Sequence, residues 1–144
     1  MDATYYFDYK GHSYKITFVQ DRKDIKKDTY FVDFSVWHEG YYSFNVSFGY
    51  GREVFDKIMT YVKNFKGNRF KIRPSSDSRY RLFRIWLKHY VNDFNIEEYM
   101  NEYGGKNFLL IKKNAESVGS VEIQNISKNS RMKKFKDFIF NKKI

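Results

Sequence analysis

The chain contains no cysteine. Disulfides, thiolate nucleophiles and cysteine-ligated zinc are therefore excluded, and the composition suits a reducing compartment. Proline occurs once, at Pro74, so few places force a break in regular structure. No apolar run approaches the ~20 residues that a membrane-spanning helix requires, and no membrane span is expected. The opening "MDATYYFDYK" lacks the pattern of a secretory or transit peptide. An intracellular protein is the resulting expectation. Acidic residues are in the minority, 17 against 27 basic, which leaves a net charge of +10 across 144 residues. A basic balance favours polyanionic partners and is silent about fold.

What the chain has in excess is aromatic side chains, 21% of residues, enough to supply most of a core. The positive charge is concentrated at one end. Residues 128–144 hold seven basic residues against the single Asp137. The length fits one domain, and the composition predicts a domain over 1–127 followed by a basic extension over 128–144.

Four stretches alternate with period two, as half-buried strands do. They are Tyr5/Phe7/Tyr9, Tyr14/Ile16/Phe18, Tyr30/Val32/Phe34/Val36 and Tyr42/Phe44/Val46/Phe48. "KGH" at 10–12 and "HEGY" at 38–41 read as tight hairpin turns. The polar "DRKDIKKD" at 21–28 reads as a longer loop. The pattern predicts an antiparallel meander of about four strands with one face to be covered. The period then changes. Val54, Phe55, Ile58, Tyr61, Val62 and Phe65 share one helical stripe. "RFKIR" at 69–73 reads as a short strand that ends before Pro74, and "SSDS" offers N-caps for a helix from about 78 to the mid-90s. "NFLLI" at 107–111 reads as a buried strand, "SVEIQNI" at 120–126 as a further one, and residues 129–143 as an amphipathic helix. The predicted class is α+β: a mainly antiparallel sheet, two helices packed on it and a basic C-terminal helix.

The segment "RPSSDSRYRLFRIWLKHYV", 73–91, carries five positive charges. At 100° per residue Leu82, Phe83, Ile85, Trp86, His89 and Tyr90 form a core-facing side. Arg81, Arg84 and Lys88 form the opposite side, a phosphate-contacting stripe or a solvated helix face. Arg79 falls with the apolar group and requires a carboxylate or carbonyl partner. In the C-terminal extension Met132, Phe135, Phe138 and Ile139 share one face, while Arg131, Lys133, Lys134 and Lys136 supply positive charge. That extension suits docking on the domain, phosphate binding with steep salt dependence, or docking on a partner protein or an anionic membrane surface.

Catalytic constellations are not evident. His12, His38 and His89 lack metal-ligand spacing. Asp21, Asp24 and Asp28 lack the glycine and closing glutamate of a calcium loop. No phosphate-binding Walker loop and no Gly-x-Ser-x-Gly elbow is present. Glu97 and Glu98 are adjacent on the expected helix and share no face. No metal and no cofactor is expected.

The order meander, helix, strand, helix, strand resembles the C-terminal two-thirds of the GNAT acetyltransferase fold. "SFGYGREVFDKIMTYV", 47–62, is similar to that family's strand, glycine turn and helix, where backbone N–H groups hold a pyrophosphate. The segment around residues 1–113 resembles, more closely, small uncharacterised tailed-phage proteins with an Arg-x-x-Leu-[Tyr/Phe] signature, matched by Arg79, Leu82 and Phe83. The resemblance implies an acyl-coenzyme A site at Gly49, Gly51 and Arg52. It also implies a location in the host cytoplasm or the virion. The chain departs from the family where the catalytic tyrosine belongs, since Phe83 has no proton to give. Val46 stands where the phosphate turn usually begins with Gln or Arg. A scaffold without the chemistry is the expectation. Three functions are carried forward: nucleic-acid association, interaction with a protein partner or in a homo-oligomer (a virion component or an inhibitor of a host defence protein), and acyl-coenzyme A binding.

Overall fold

The computed structural model describes residues 2–44 and 51–113. The chain divides at Lys112 into two units. The second unit, apart from Lys113, lies outside the described residues, as do the expected strand at 120–126, the C-terminal helix and the 127/128 boundary.

The first unit is α+β. Among the described residues its seven strands are β1 (Ala3–Tyr9), β2 (His12–Gln20), β3 (Thr29–His38), β4 (Tyr41–Ser43), β5 (Arg69–Ile72), β6 (Phe94–Met100) and β7 (Lys106–Lys112). Its helices are α1 (Gly51–Asn64) and α2 (Asp77–Trp86), the latter continued by a 3-10 turn over Leu87–Tyr90. The strand order is β1-β2-β3-β5-β7-β6, with β4 also on β3. All pairings are antiparallel except that of β3 with β5.

Both expected hairpins form. Lys10-Gly11 and Glu39-Gly40 all have positive φ, as two-residue type I′ turns require. They set the registers Tyr9↔His12 and His38↔Tyr41. Of the fourth alternating stretch, Tyr42 and Ser43 with Tyr41 pair with β3, Phe44 is 51% exposed, and Val46 and Phe48 lie outside the described residues.

One sheet face carries the core. Ile16, Phe18, Val32, Phe70, Ile72, Phe94, Phe108 and Leu110 meet Phe55, Ile58, Met59 and Val62 of α1 and Phe83 and Leu87 from α2 and its 3-10 turn. Aromatic rings tie the layers together. Phe18 stacks on Phe65 at 4.1 Å, and Tyr80 stacks on Phe108 at 4.9 Å. Burial of each such side chain contributes about 1.5–3 kcal/mol.

The helix expected from 78 to the mid-90s is corrected in two ways. Ser76 caps it as anticipated, accepting from the Arg79 N–H at 3.2 Å, but α2 ends at Trp86. Residues 94–100 form β6, whose Phe94 and Ile96 pack inward. Glu97 and Glu98 therefore face opposite sides of a strand. The buried stripe also differs. Phe83 and Leu87 are buried, with Tyr80, Trp86 and Tyr90 packed beside them, whereas Leu82, Ile85 and His89 are exposed. Leu87 lies four residues after Phe83 and so falls on the same helix face.

Candidate functional site

β3 changes partner along one edge. Thr29–Val32 pair with β5, and Val36–His38 pair with β4. Residues 33–35 lie between the two ladders. At this divergence a cavity of about 110 Å³ opens between the sheet and the helices, walled by Phe34, Val36, Phe55, Phe83 and Trp86. Arg79 stands at its rim and also lines a smaller recess of about 30 Å³ beside Pro74 and Ser75. Its guanidinium donates to the Phe44 carbonyl and, at 3.1 Å, to Ser75 Oγ. Burial pulls its pKa below the ordinary guanidinium value. The partner that the sequence demanded is thus a backbone carbonyl just past β4. Among the described residues lining the cavity there is no carboxylate, histidine or lysine. The wall suits an apolar group and offers little for proton transfer.

The positions expected to hold a coenzyme are engaged elsewhere. A Cβ placed on Gly51 would lie 3.0 Å from Trp86 Cη2. The glycine therefore admits the close approach of α1 to α2. Arg52 Nε sits 3.1 Å from Asp56 Oδ2, one helical turn on. Asp56 also accepts from the Tyr90 hydroxyl at 2.6 Å. Burial, followed by this bond, raises the Tyr90 pKa well above the ordinary phenol. Gly49 lies outside the described residues.

Arg81, Arg84 and Lys88 are all exposed along α2 and its 3-10 turn. Arg84 Nε is 3.3 Å from Glu98 Oε2 on β6, and the same carboxylate accepts from the Tyr80 hydroxyl. Among the described residues Arg81 and Lys88 form no ion pair. The stripe thus holds two uncompensated cations and one that is half-committed. Arg131, Lys133, Lys134 and Lys136 lie outside the described residues.

One arrangement escaped the sequence reading. On the face opposite the helices, the three cations Arg69, Lys71 and Arg73 each meet a carboxylate. Lys71 Nζ lies 2.7 Å from Asp21, Arg73 Nη2 lies 2.7 Å from Asp33, and Arg69 Nε lies 3.8 Å from Asp24. Lys71 and Arg73 also cover the Phe31 ring. In addition, the aromatics near the second hairpin are not absorbed by sheet packing. Trp37 is 49% exposed and meets Tyr42 edge-on at 5.1 Å, Tyr41 is exposed, and Lys15 sits over the Tyr42 ring at 4.8 Å.

Among the described residues, no cluster of acidic and histidine side chains is arranged to hold a metal ion, and no helix is long and apolar enough to cross a membrane. No family model matches the chain, and neither the curated proteins nor the solved structures yield a match.

Proposed function

We propose that this chain is a non-enzymatic binding protein of phage type that associates with nucleic acid through phosphate contacts. The observation that carries the reading is the exposure of Arg81 and Lys88 on α2 and its 3-10 turn, in no ion pair among the described residues, in a chain of net charge +10. Arg84 borders them, and Arg131, Lys133, Lys134 and Lys136 of the basic extension supply the second group of contacts. Such contacts position a backbone and carry little sequence information. Binding should therefore be steeply salt-dependent and tolerant of sequence. The test compares the full chain with a full-length variant in which those four extension residues are alanine. Weaker binding with a shallower salt slope supports the reading, and unchanged binding and slope would sink the role of the extension.

The acetyltransferase resemblance draws support from the order of elements alone, meander, helix, strand, helix, strand. The chemistry finds none. Phe83 is buried in the core and hydroxyl-free, and Gly51 and Arg52 are engaged within the fold. A scaffold kept for binding is the reading these residues favour. Acetyl-coenzyme A at millimolar concentration should accordingly leave the melting temperature unchanged.

A protein-interaction role is favoured by a different observation, the exposed Tyr6 and Trp37 grouped around Tyr42 on the outer sheet surface. Aromatic groups of this kind are enriched where partners dock. Light scattering across a concentration series tests the homo-oligomeric form of this role.

A further inference from the structure

The loop from Asp21 to Asp28 holds four basic and three acidic residues, so along the chain it is close to neutral. In the fold its charges separate. Asp21 turns to Lys71, and its other carboxylate oxygen accepts from the Lys23 backbone N–H at 3.1 Å. Asp24 turns to Thr29 Oγ1 at 2.7 Å and to Arg69. Asp28 acts on Tyr30 and Lys112 through its charge. Asp21 and Asp24 are thus satisfied from within the sheet and its loop. Lys23, Lys26 and Lys27 are exposed, and among the described residues none of them forms an ion pair. Arg22 is exposed too, with Asp2 no closer than 3.9 Å.

A second loop joins them. The Asp28 carbonyl accepts from the backbone N–H groups of Asn68 and Arg69, at 3.2 Å each. This places the turn after α1, with its exposed Lys66, beside the 3-10 turn that carries Lys26 and Lys27. Arg22, Lys23, Lys26, Lys27 and Lys66 therefore share one end of the sheet. Asp21 and Asp24 are drawn off to β5, and with Asp2 and Asp28 set against five cations the surface keeps a positive excess that attracts a polyanion.

We propose that this loop end is a second phosphate-binding surface for nucleic acid, distinct from the α2 stripe. The inference rests on the nucleic-acid reading above and adds a site to it. A lipid surface is the weaker match, because Ile25 is the one exposed large apolar side chain in the loop and interfacial binding needs a broader apolar face.

The experiment uses the full chain, fluorescein-labelled single- and double-stranded oligonucleotides, and anisotropy across a salt series. The variant is Lys26→Gln/Lys27→Gln/Lys66→Gln. A control removes equal charge elsewhere: Lys10→Gln/Lys57→Gln/Lys106→Gln. The expected result for the loop variant is an affinity loss on the order of tenfold at low salt and a slope shallower by about two to three, at ~0.9 per lost duplex phosphate contact. The control should keep the wild-type slope. Because a triple change can disturb folding, Lys66→Gln alone is measured beside it, with a slope change of about one expected. If wild type binds and the loop variants match it, this surface is overturned while the nucleic-acid reading stands. Equal losses in loop variant and control indicate general charge and also overturn it. If wild type binds no oligonucleotide, the nucleic-acid reading falls and this proposal with it. Loss of binding to phosphatidylserine vesicles in that last case would reassign the loop end to membrane.

Discussion

Asp21 and Lys71 are 50 residues apart in sequence and 2.7 Å apart in the fold. Asp21 is nearly buried, with its side chain 8% exposed, and Lys71 is 23% exposed. Burial alone would raise the Asp21 pKa. The hydrogen bonds from Lys71 and the Lys23 N–H, with the charges of both lysines, outweigh it and hold the carboxyl below its ordinary value.

That depressed pKa makes the pair a source of stability above the unfolded carboxylate value of ~3.9. The contribution is lost as pH falls through the lower folded value. Asp21→Asn should cost about 1.5–3 kcal/mol at neutral pH, the range for a charged hydrogen bond. Urea titrations of both proteins at successively lower pH should show the gap close as the wild-type carboxyl protonates. A gap independent of pH would contradict the assignment.

The Tyr90–Asp56 bond has the opposite pH signature. The folded phenol pKa is raised. Its stabilisation is complete below the unfolded tyrosine value of ~10 and declines as pH rises from there towards the folded value. Tyr90→Phe should cost about 1.5–3 kcal/mol at neutral pH, since the acceptor is charged. It should also flatten the alkaline fall in melting temperature. Thermal melts across the alkaline range test this.

Gly51 should tolerate no branched side chain. Its Cβ position is already 3.0 Å from the Trp86 ring, so Gly51→Val should destabilise by about 1–3 kcal/mol through overpacking. Trp86 lines the adjacent cavity, and its emission should shift as the ring is displaced. Stability at or above wild type would show that α1 and α2 do not approach as described.

Phe83 joins the sheet to both helices through Phe34, Phe55 and Trp86, at ring separations of 5.5, 5.0 and 5.9 Å. Phe83→Ala should cost about 3–5 kcal/mol, whereas Leu82→Ala, one residue away but 44% exposed, should cost far less. Comparable losses in denaturant titrations would return the helix to the orientation expected from its wheel.

Local rules made much of the fold legible. Lys10-Gly11 and Glu39-Gly40 announce their turns because few other pairs accept positive φ at both positions. The stripe from Val54 to Val62 repeats cleanly enough to identify α1 and its buried face. β6 was missed because Glu97 and Glu98 interrupt the apolar alternation and no glycine or proline separates them from α2. The cationic end was missed for a different reason. Which charges of residues 21–28 face solvent depends on β5 lying beside β3, a long-range register that no local pattern encodes. Arg79 was recognised as needing a partner, but its acceptor, the Phe44 carbonyl, is set by where β4 stops.

The central claim, phosphate-driven association with nucleic acid, is tested most directly by anisotropy of the full chain with a short duplex over a salt series. The account predicts binding at low salt, with log affinity falling linearly in log salt and a slope of several units. It also predicts a slope shallower by about two in Arg81→Gln/Lys88→Gln. An absence of binding at the lowest salt, or affinity indifferent to salt, would contradict it.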